Sequence, residues 1–259
     1  PEAVEDIRKK VLGSKADFGV ALDGDADRIG VVDETGAVIW GDMLLLVLAR
    51  DIIGQWRERG GEDEPPLVIS EVKASQVLYD GVERAGGRAL MWKTGHSLIK
   101  AKMKETGALL AGEMSGHLFF SDRYYGYDDA VYASIRLAEV YVRAVKEGRL
   151  ERFSDLLRDI PRLSNTPEIR IPCPDESKFR AVEEVTRLLI EHRGTGDEPV
   201  IRDVVDVDGV RVIFSNGWGL LRASNTQPVL VMRYEADSDE GLDRYRAFLD
   251  GVVQSVIGR

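Results

Sequence analysis

The 259-residue chain predicts an α/β layer followed by a smaller α+β domain. Three observations carry this. Between residues 67 and 113, apolar runs (LVISE, RALMW, ALLAGE) alternate with helical patterns (SQVLYDGVERA, SLIKAKMKET), the spacing of mainly parallel strands joined by crossover helices. Composition changes at RLSNTPEIRIPCP, residues 162–174. Beyond it, one long helix near 176–192, three candidate strands (IRDVVDVDG, VRVIFS, PVLVMRYEA) and a last helix near 238–256 fit a separate domain whose sheet is antiparallel.

The remaining elements follow in order. PEAVEDIRKKVLG reads as an amphipathic helix already under way, without an initiating methionine. FGVAL and IGVV read as buried strands, and ETG turns the chain into VIW to give a short hairpin. Gly41-Asp42 open a long apolar helix, MLLLVLARDIIGQW, and RERGGEDEPP reads as an exposed turn. GHLFF is a short strand, and a helix with an aromatic and aliphatic face runs from Asp129 to Glu147. GWGLLRASNTQ is read as a loop before the last strand.

The chain is 44% hydrophobic, enough for substantial cores in two or more domains. A net charge of -10 argues against binding a nucleic-acid backbone, although a local basic pocket can still hold a small anion. Cys173 is the sole cysteine, so no internal disulfide exists, and a reducing cytoplasm is the simpler expectation. No apolar run is long enough to span a bilayer.

The chemistry concentrates in loops after strands, where ligands gather in open α/β sheets. Residues 21–32 read ALDGDADRIGVV. Asp23, Asp25 and Asp27 crowd together, which is costly unless a cation offsets their charge, and a loop between two strands can curl them around one hard cation such as magnesium. Asp23, Asp25, Asp27 and Glu34 also match positions of a helix-loop-helix calcium site, but its required glycine is here Arg28 and the flanks are strands. An acidic surface turn with no ligand is the plain alternative. Lys73 follows LVISE and could contact phosphate or move a proton, though a lone lysine is ordinarily a solvated helix-start residue. KTGHSLIK holds Lys93, Thr94, Gly95 and His96 in a compact turn, with Ser97 as the expected helix cap. GEMSGHLFF places Glu113, Ser115 and His117 between small residues, suited to reading sugar hydroxyls; His117 could equally pack beside Phe119. LLRASNTQPV combines Arg222, Ser224, Asn225 and Thr226 in one polar turn able to cradle phosphate.

Taken as an ordered set, DGDADR (23–28), EVK (71–73), KTGHSLIK (93–100), GEMSGH (112–117) and RASNTQP (222–228) resemble the α-D-phosphohexomutase superfamily, and Met114 is most similar to its phosphomannomutase/phosphoglucomutase branch. The resemblance spans nearly the whole chain and implies phosphohexomutase-type mixed α/β domains ending in the α+β domain. Residues 1–40 would finish domain 2, residues 41–160 would form domain 3 and residues 168–259 domain 4. It implies magnesium on Asp23, Asp25 and Asp27, Arg28 beside them, and Lys73 and His96 as proton-transfer or positioning residues. Glu113 and Ser115 would read sugar hydroxyls, and Arg222, Ser224, Asn225 and Thr226 would hold the phosphate that is not transferred. The implied reaction interconverts hexose 1- and 6-phosphates through a bisphosphorylated sugar, with glucose 1,6-bisphosphate as activator. Its phosphoserine, in a segment like TASHNP, is not in these 259 residues. The expected partner is therefore a missing N-terminal domain of the same polypeptide, and the 259 residues alone are expected to bind phosphosugar without turning it over.

One rival is an aspartate-nucleophile sugar phosphatase, with Asp23 as nucleophile, Asp25 as acid-base and Asp128-Asp129 as a magnesium pair. It leaves GEMSGH and RASNTQP unexplained. For the literal chain, a non-catalytic phosphosugar-binding module is the other.

Overall fold

A computed structural model describes residues 4–61 and 64–258. The start of the N-terminal helical pattern and two residues of the RERGGEDEPP turn lie outside them. The chain divides into two compact units, Pro1–Ile160 and Pro161–Arg259.

In the first unit, α1 (Glu5–Ser14) packs on β1 (Phe18–Leu22), which pairs antiparallel with β2 (Ile29–Asp33), itself paired with β3 (Val38–Ile39). The β2–β3 turn is tight because Asp33 Oδ1 accepts from the Thr35 and Ala37 amides and the Thr35 hydroxyl. α2 (Gly41–Glu58) is apolar on most sides and so lies inside. Leu44, Leu45, Leu46 and Leu48 are buried, each worth about 1.5–3 kcal/mol. They belong to one core that includes Val31 of β2 and Val68 and Leu110 of the second sheet.

That second sheet has the order β5-β4-β6-β7, with β4 Leu67–Glu71, β5 Arg88–Trp92, β6 Leu110–Gly112 and β7 Leu118–Phe120. β4 pairs parallel with β5 and β6, while β7 returns antiparallel. The crossovers are α3 (Gln76–Arg84) and α4 (His96–Thr106), and α5 (Ala130–Lys146) follows. β4, β6 and β7 are almost wholly buried and have no solvent face to alternate toward, so they read as continuous apolar runs, while β5 is the partly exposed edge.

The second unit holds β8 (Ser164–Asn165), β9 (Ile169–Pro172), α6 (Asp175–His192), β10 (Asp203–Val205), β11 (Val210–Ile213), β12 (Gly217–Ala223), β13 (Val229–Ala236) and α7 (Asp239–Ile257). Its sheet is antiparallel throughout, in the order β10-β11-β12-β13, with β8 and β9 both pairing with β13. α6 and α7 contribute Val185, Leu189, Leu249 and Val253 to a core with Val212, Leu221, Met232 and Tyr234. The mixed α/β organisation and the antiparallel C-terminal sheet expected from sequence are both present. GWGLLRASNTQ is not one loop, however. Its first half is β12, seven residues that pair in register with β13. Among the described residues, no helix is long and apolar enough to cross a membrane.

Candidate functional site

Four loops of the first unit leave the carboxyl ends of strands: residues 23–28 after β1, 72–75 after β4, 93–95 after β5 and 113–117 after β6. The acidic loop is shaped by its own backbone. Ala26 N–H donates to the Asp23 carbonyl at 3.2 Å, and Asp23 N–H to the Arg28 carbonyl at 3.3 Å. Ala26 takes a left-handed φ of 59° to close the curl. One oxygen from each of Asp23, Asp25 and Asp27 lies within 4.8 Å of the other two. Ligands on opposite sides of magnesium sit about 4.2 Å apart, so the spacing is compatible with one shared ion. Asp27 Oδ1 is buried with no hydrogen-bond partner among the described residues, as an oxygen reserved for a cation would be. The all-oxygen donor set suits magnesium.

Arg28 turns back on this loop. Its Nε donates to Asp23 Oδ2, its amide donates to Asp23 Oδ1 at 3.1 Å, and the guanidinium lies 3.7 Å from Asp27. Burial pushes the Asp23 carboxyl up, but the bonds and charge from Arg28 outweigh it and hold the group below its ordinary value. Asp27 goes the other way. Burial raises it, and the charges of Asp25, Asp23 and Asp128 add to that against the pull of His117.

The 113–117 loop docks on the acidic one. Ile29 N–H donates to the Gly116 carbonyl at 3.1 Å, and Arg28 pairs with His117 as a β-bridge. Gly116 has φ +97°, and a Cβ there would stand 2.5 Å from the Ile29 carbonyl oxygen, so only glycine fits. Within the loop, Glu113 N–H donates to His117 O and Gly116 N–H to Glu113 O. Glu113 Oε1 accepts the Gly95 amide at 2.8 Å, tying the 93–95 turn to the same surface. Glu113 is 4% exposed. Burial first, and the neighbouring Glu71 charge second, push its carboxyl up to about 7. Ser115, at the turn's tip, is exposed.

The α4 cap differs from expectation. The helix begins at His96, with Gly95 at the cap position and no side-chain cap, so Ser97 lies inside the first turn. His96 is thereby fixed at the helix start, its ring 5.6 Å from that of His117. His117 also stacks on Phe119, as the packing alternative expected. Lys73 lies 3.3 Å from the buried Glu71 carboxylate.

The sequence offers Asp128 only as part of the phosphatase's magnesium pair, yet it sits at a crossing point. Its carboxylate accepts from Lys100 Nζ at 2.9 Å and lies 3.2 Å from His117 and 3.7 Å from His96. Asp129 instead caps α5 through the Tyr132 amide and accepts from the Tyr124 hydroxyl. The two neighbours thus face different partners and do not form the magnesium pair the phosphatase reading needs.

In the second unit, Arg222 belongs to β12 and not to the turn. It is buried, and its Nε donates to Asp208 at 3.1 Å. Ser224 Oγ accepts the Thr226 and Gln227 amides and so builds the turn, while Asn225 and Thr226 are exposed at its tip. Sequence reasoning missed Lys178, whose Nζ reaches the Gln227 carbonyl at 3.1 Å from α6. Only folding brings it there.

An acidic loop between two antiparallel strands, a glycine-rich acidic loop docked on it from a neighbouring α/β layer, and a lysine-histidine turn on that same layer, in a unit followed by an antiparallel α+β unit, match the α-D-phosphohexomutase class. The model of phosphoglucomutase/phosphomannomutase alpha/beta/alpha domain III matches residues 40–162, and that of the phosphoglucomutase/phosphomannomutase C-terminal domain matches residues 168–252. The chain belongs to the phosphoglucomutase/phosphomannomutase family. It is 46% identical to a phosphomannomutase/phosphoglucomutase of Pseudomonas putida over 95% of this chain and 49% of that protein. It is 39% identical to a phosphoglucomutase of Neisseria gonorrhoeae over 98% of this chain and 51% of that one. A phosphoglucomutase/phosphomannomutase family structure from Burkholderia thailandensis superposes with a TM-score of 0.84 at 37% identity, covering 99% of this chain and 50% of the other. The chain spans about half the length of the curated relatives it matches.

Proposed function

We propose that this chain is the metal-, sugar- and phosphate-binding portion of a phosphomannomutase/phosphoglucomutase, which interconverts hexose 1-phosphates and hexose 6-phosphates through a bisphosphorylated sugar. The observation that carries the reading is the docking of the 113–117 loop on the three-aspartate loop through Gly116 and Ile29, with Gly95 bonded to Glu113. In this reading residues 1–40 complete a second domain, 41–160 form a third and 168–259 a fourth.

Asp23, Asp25 and Asp27 would hold magnesium, which supplies positive charge for a phosphoryl group in transfer. Arg28 adds a second positive charge beside that group. Glu113 and Ser115 orient the sugar through its hydroxyls, and a carboxyl with a pKa of about 7 can accept a hydroxyl's hydrogen bond when ionised. Lys73 and His96 stand at neighbouring strand and helix ends, as positioning or proton-transfer groups. Ser224, Asn225 and Thr226 take the phosphate that stays in place, and Arg222 gives positive charge from beneath the turn. Glucose 1,6-bisphosphate is the proposed activator. The serine that would carry the phosphoryl group is in none of these 259 residues, so turnover is assigned to a polypeptide of the relatives' length. Asp129's commitment to the α5 cap weighs against the phosphatase alternative.

The test follows mannose 1-phosphate and glucose 1-phosphate by phosphorus NMR with the polypeptide as encoded, magnesium and glucose 1,6-bisphosphate. Conversion to the 6-phosphates is expected. Release of inorganic phosphate alone would overturn the reading in favour of the phosphatase.

A further inference from the structure

Glu71 closes β4 two residues before Lys73. Its side chain is 0% exposed. A carboxylate is costly to bury unless it is paired and hydrogen-bonded, so its partners indicate what holds it there. Oε1 accepts the Met114 amide at 3.0 Å. Oε2 lies 3.3 Å from Lys73 Nζ, whose side chain is 12% exposed. The Tyr79 hydroxyl, from α3, donates to the Glu71 main-chain carbonyl at 2.7 Å and fixes the strand end itself. Met114 is the residue between Glu113 and Ser115. One buried carboxylate thus bonds the backbone of the 113–115 turn with one oxygen and stands in ion-pair range of the Lys73 ammonium with the other, an oxygen with no hydrogen bond among the described residues.

We propose that Glu71 is a positioning residue that holds Lys73 and the 113–115 turn in a fixed relation for the sugar. This rests on the function proposed above. The charges that bear on Glu113 are Glu71 and Asp128, which favour its proton, and Lys73, which opposes it, while the Gly95 amide bonds its ionised form. Removing the Glu71 charge removes one of the two that favour the proton, so Glu113 must then ionise at lower pH.

Glu71→Gln keeps an acceptor for Met114 and deletes the charge. In the polypeptide as encoded, kcat/KM is expected to fall about 10-fold or more, the scale of a lost charged hydrogen bond. The acid limb of its pH profile should also move to lower pH. A merely structural role would lower kcat/KM at every pH and leave the limb in place. Two readouts do not need turnover. Carbon-13 NMR of the Glu113 carboxyl, assigned with Glu113→Gln, should titrate lower in Glu71→Gln. Acetylation of Lys73 by acetic anhydride, read by mass spectrometry, should rise. Should Glu71→Gln not fold, Glu71→Asp, with its carboxylate drawn back by one methylene, is expected to fold and to raise Lys73 labelling. An unchanged Glu113 titration with unchanged Lys73 labelling overturns the proposal, as does unchanged labelling in Glu71→Asp. No turnover in the parent protein would overturn the functional reading, while the titration and labelling would still decide the role of Glu71.

Discussion

Glu113→Gln should make the protein more stable and less active, and the gain should depend on pH. The structure sets the size. Glu113 is buried beside Glu71, and its carboxyl rises from an ordinary 4.5 to about 7. At about 1.4 kcal/mol for each pH unit, that rise corresponds to roughly 3 kcal/mol. The sign follows from proton counting. Below 4.5 the group is protonated folded and unfolded, and it contributes nothing. Between 4.5 and about 7 the unfolded chain has released the proton that the folded chain keeps, so stability falls as pH rises. Above about 7 the deficit is complete. Glutamine is neutral throughout and still offers an oxygen to the Gly95 amide. Urea unfolding of parent and variant, followed by the fluorescence of Trp40, Trp56 and Trp92 in the first unit, should show a small difference at pH 5. At pH 8 the variant should be more stable by about 3 kcal/mol. The same variant should lose sugar turnover by about 10-fold or more, since a neutral amide is a weaker acceptor for sugar hydroxyls. A stability difference that does not change between pH 5 and pH 8 would refute the reasoning.

Three further outcomes are expected. Asp25→Asn should weaken magnesium binding by 10-fold or more in calorimetric titration while altering stability by no more than about 0.5 kcal/mol, because Asp25 is exposed; equal magnesium affinities would remove Asp25 from the site. Gly116→Ala should cost about 1–3 kcal/mol of first-unit stability from its left-handed backbone, and magnesium affinity should fall with it, because the new Cβ meets the Ile29 carbonyl that follows the acidic loop. Parent-like stability and affinity would show that the two loops are not coupled. Arg222→Ala should destabilise the second unit by about 1.5–3 kcal/mol through loss of the charged hydrogen bond to Asp208; an unaltered Trp218 unfolding transition would show that the pair contributes nothing.

Much of the fold was legible because its local signals agree. Strand and helix runs between residues 67 and 113 alternate with clear turns, and three crowded aspartates are costly enough to signal a use. The misreadings share a cause. β12 opens Gly-Trp-Gly, which looks like a turn, but a side chain at Gly219 would crowd the Tyr234 ring and Leu249. Glycine is there so that helix and neighbouring strand can approach the sheet, a tertiary demand invisible locally. Arg222 reads as part of a polar turn because its neighbours are polar, yet its pairing with Asp208 comes from the β10–β11 turn folding against β12. The α4 cap was misplaced by two residues because a serine is a stronger local cap signal than Gly95, whose amide is instead engaged by Glu113. Asp128 gathers His96 and Lys100, one turn apart on α4, together with His117 from the 113–117 loop, and no spacing in the sequence announces that meeting.

The central claim is that the aspartates of residues 23–27 bind a cation and are not themselves phosphorylated. The direct measurement incubates the polypeptide as encoded with phosphorus-32-labelled glucose 1,6-bisphosphate and magnesium, then maps the label by peptide mass spectrometry after treatment with and without hydroxylamine. The expected result is hydroxylamine-resistant label on a serine and none on Asp23. Hydroxylamine-sensitive label on Asp23 would contradict the account and make the acidic loop the nucleophile of a phosphatase.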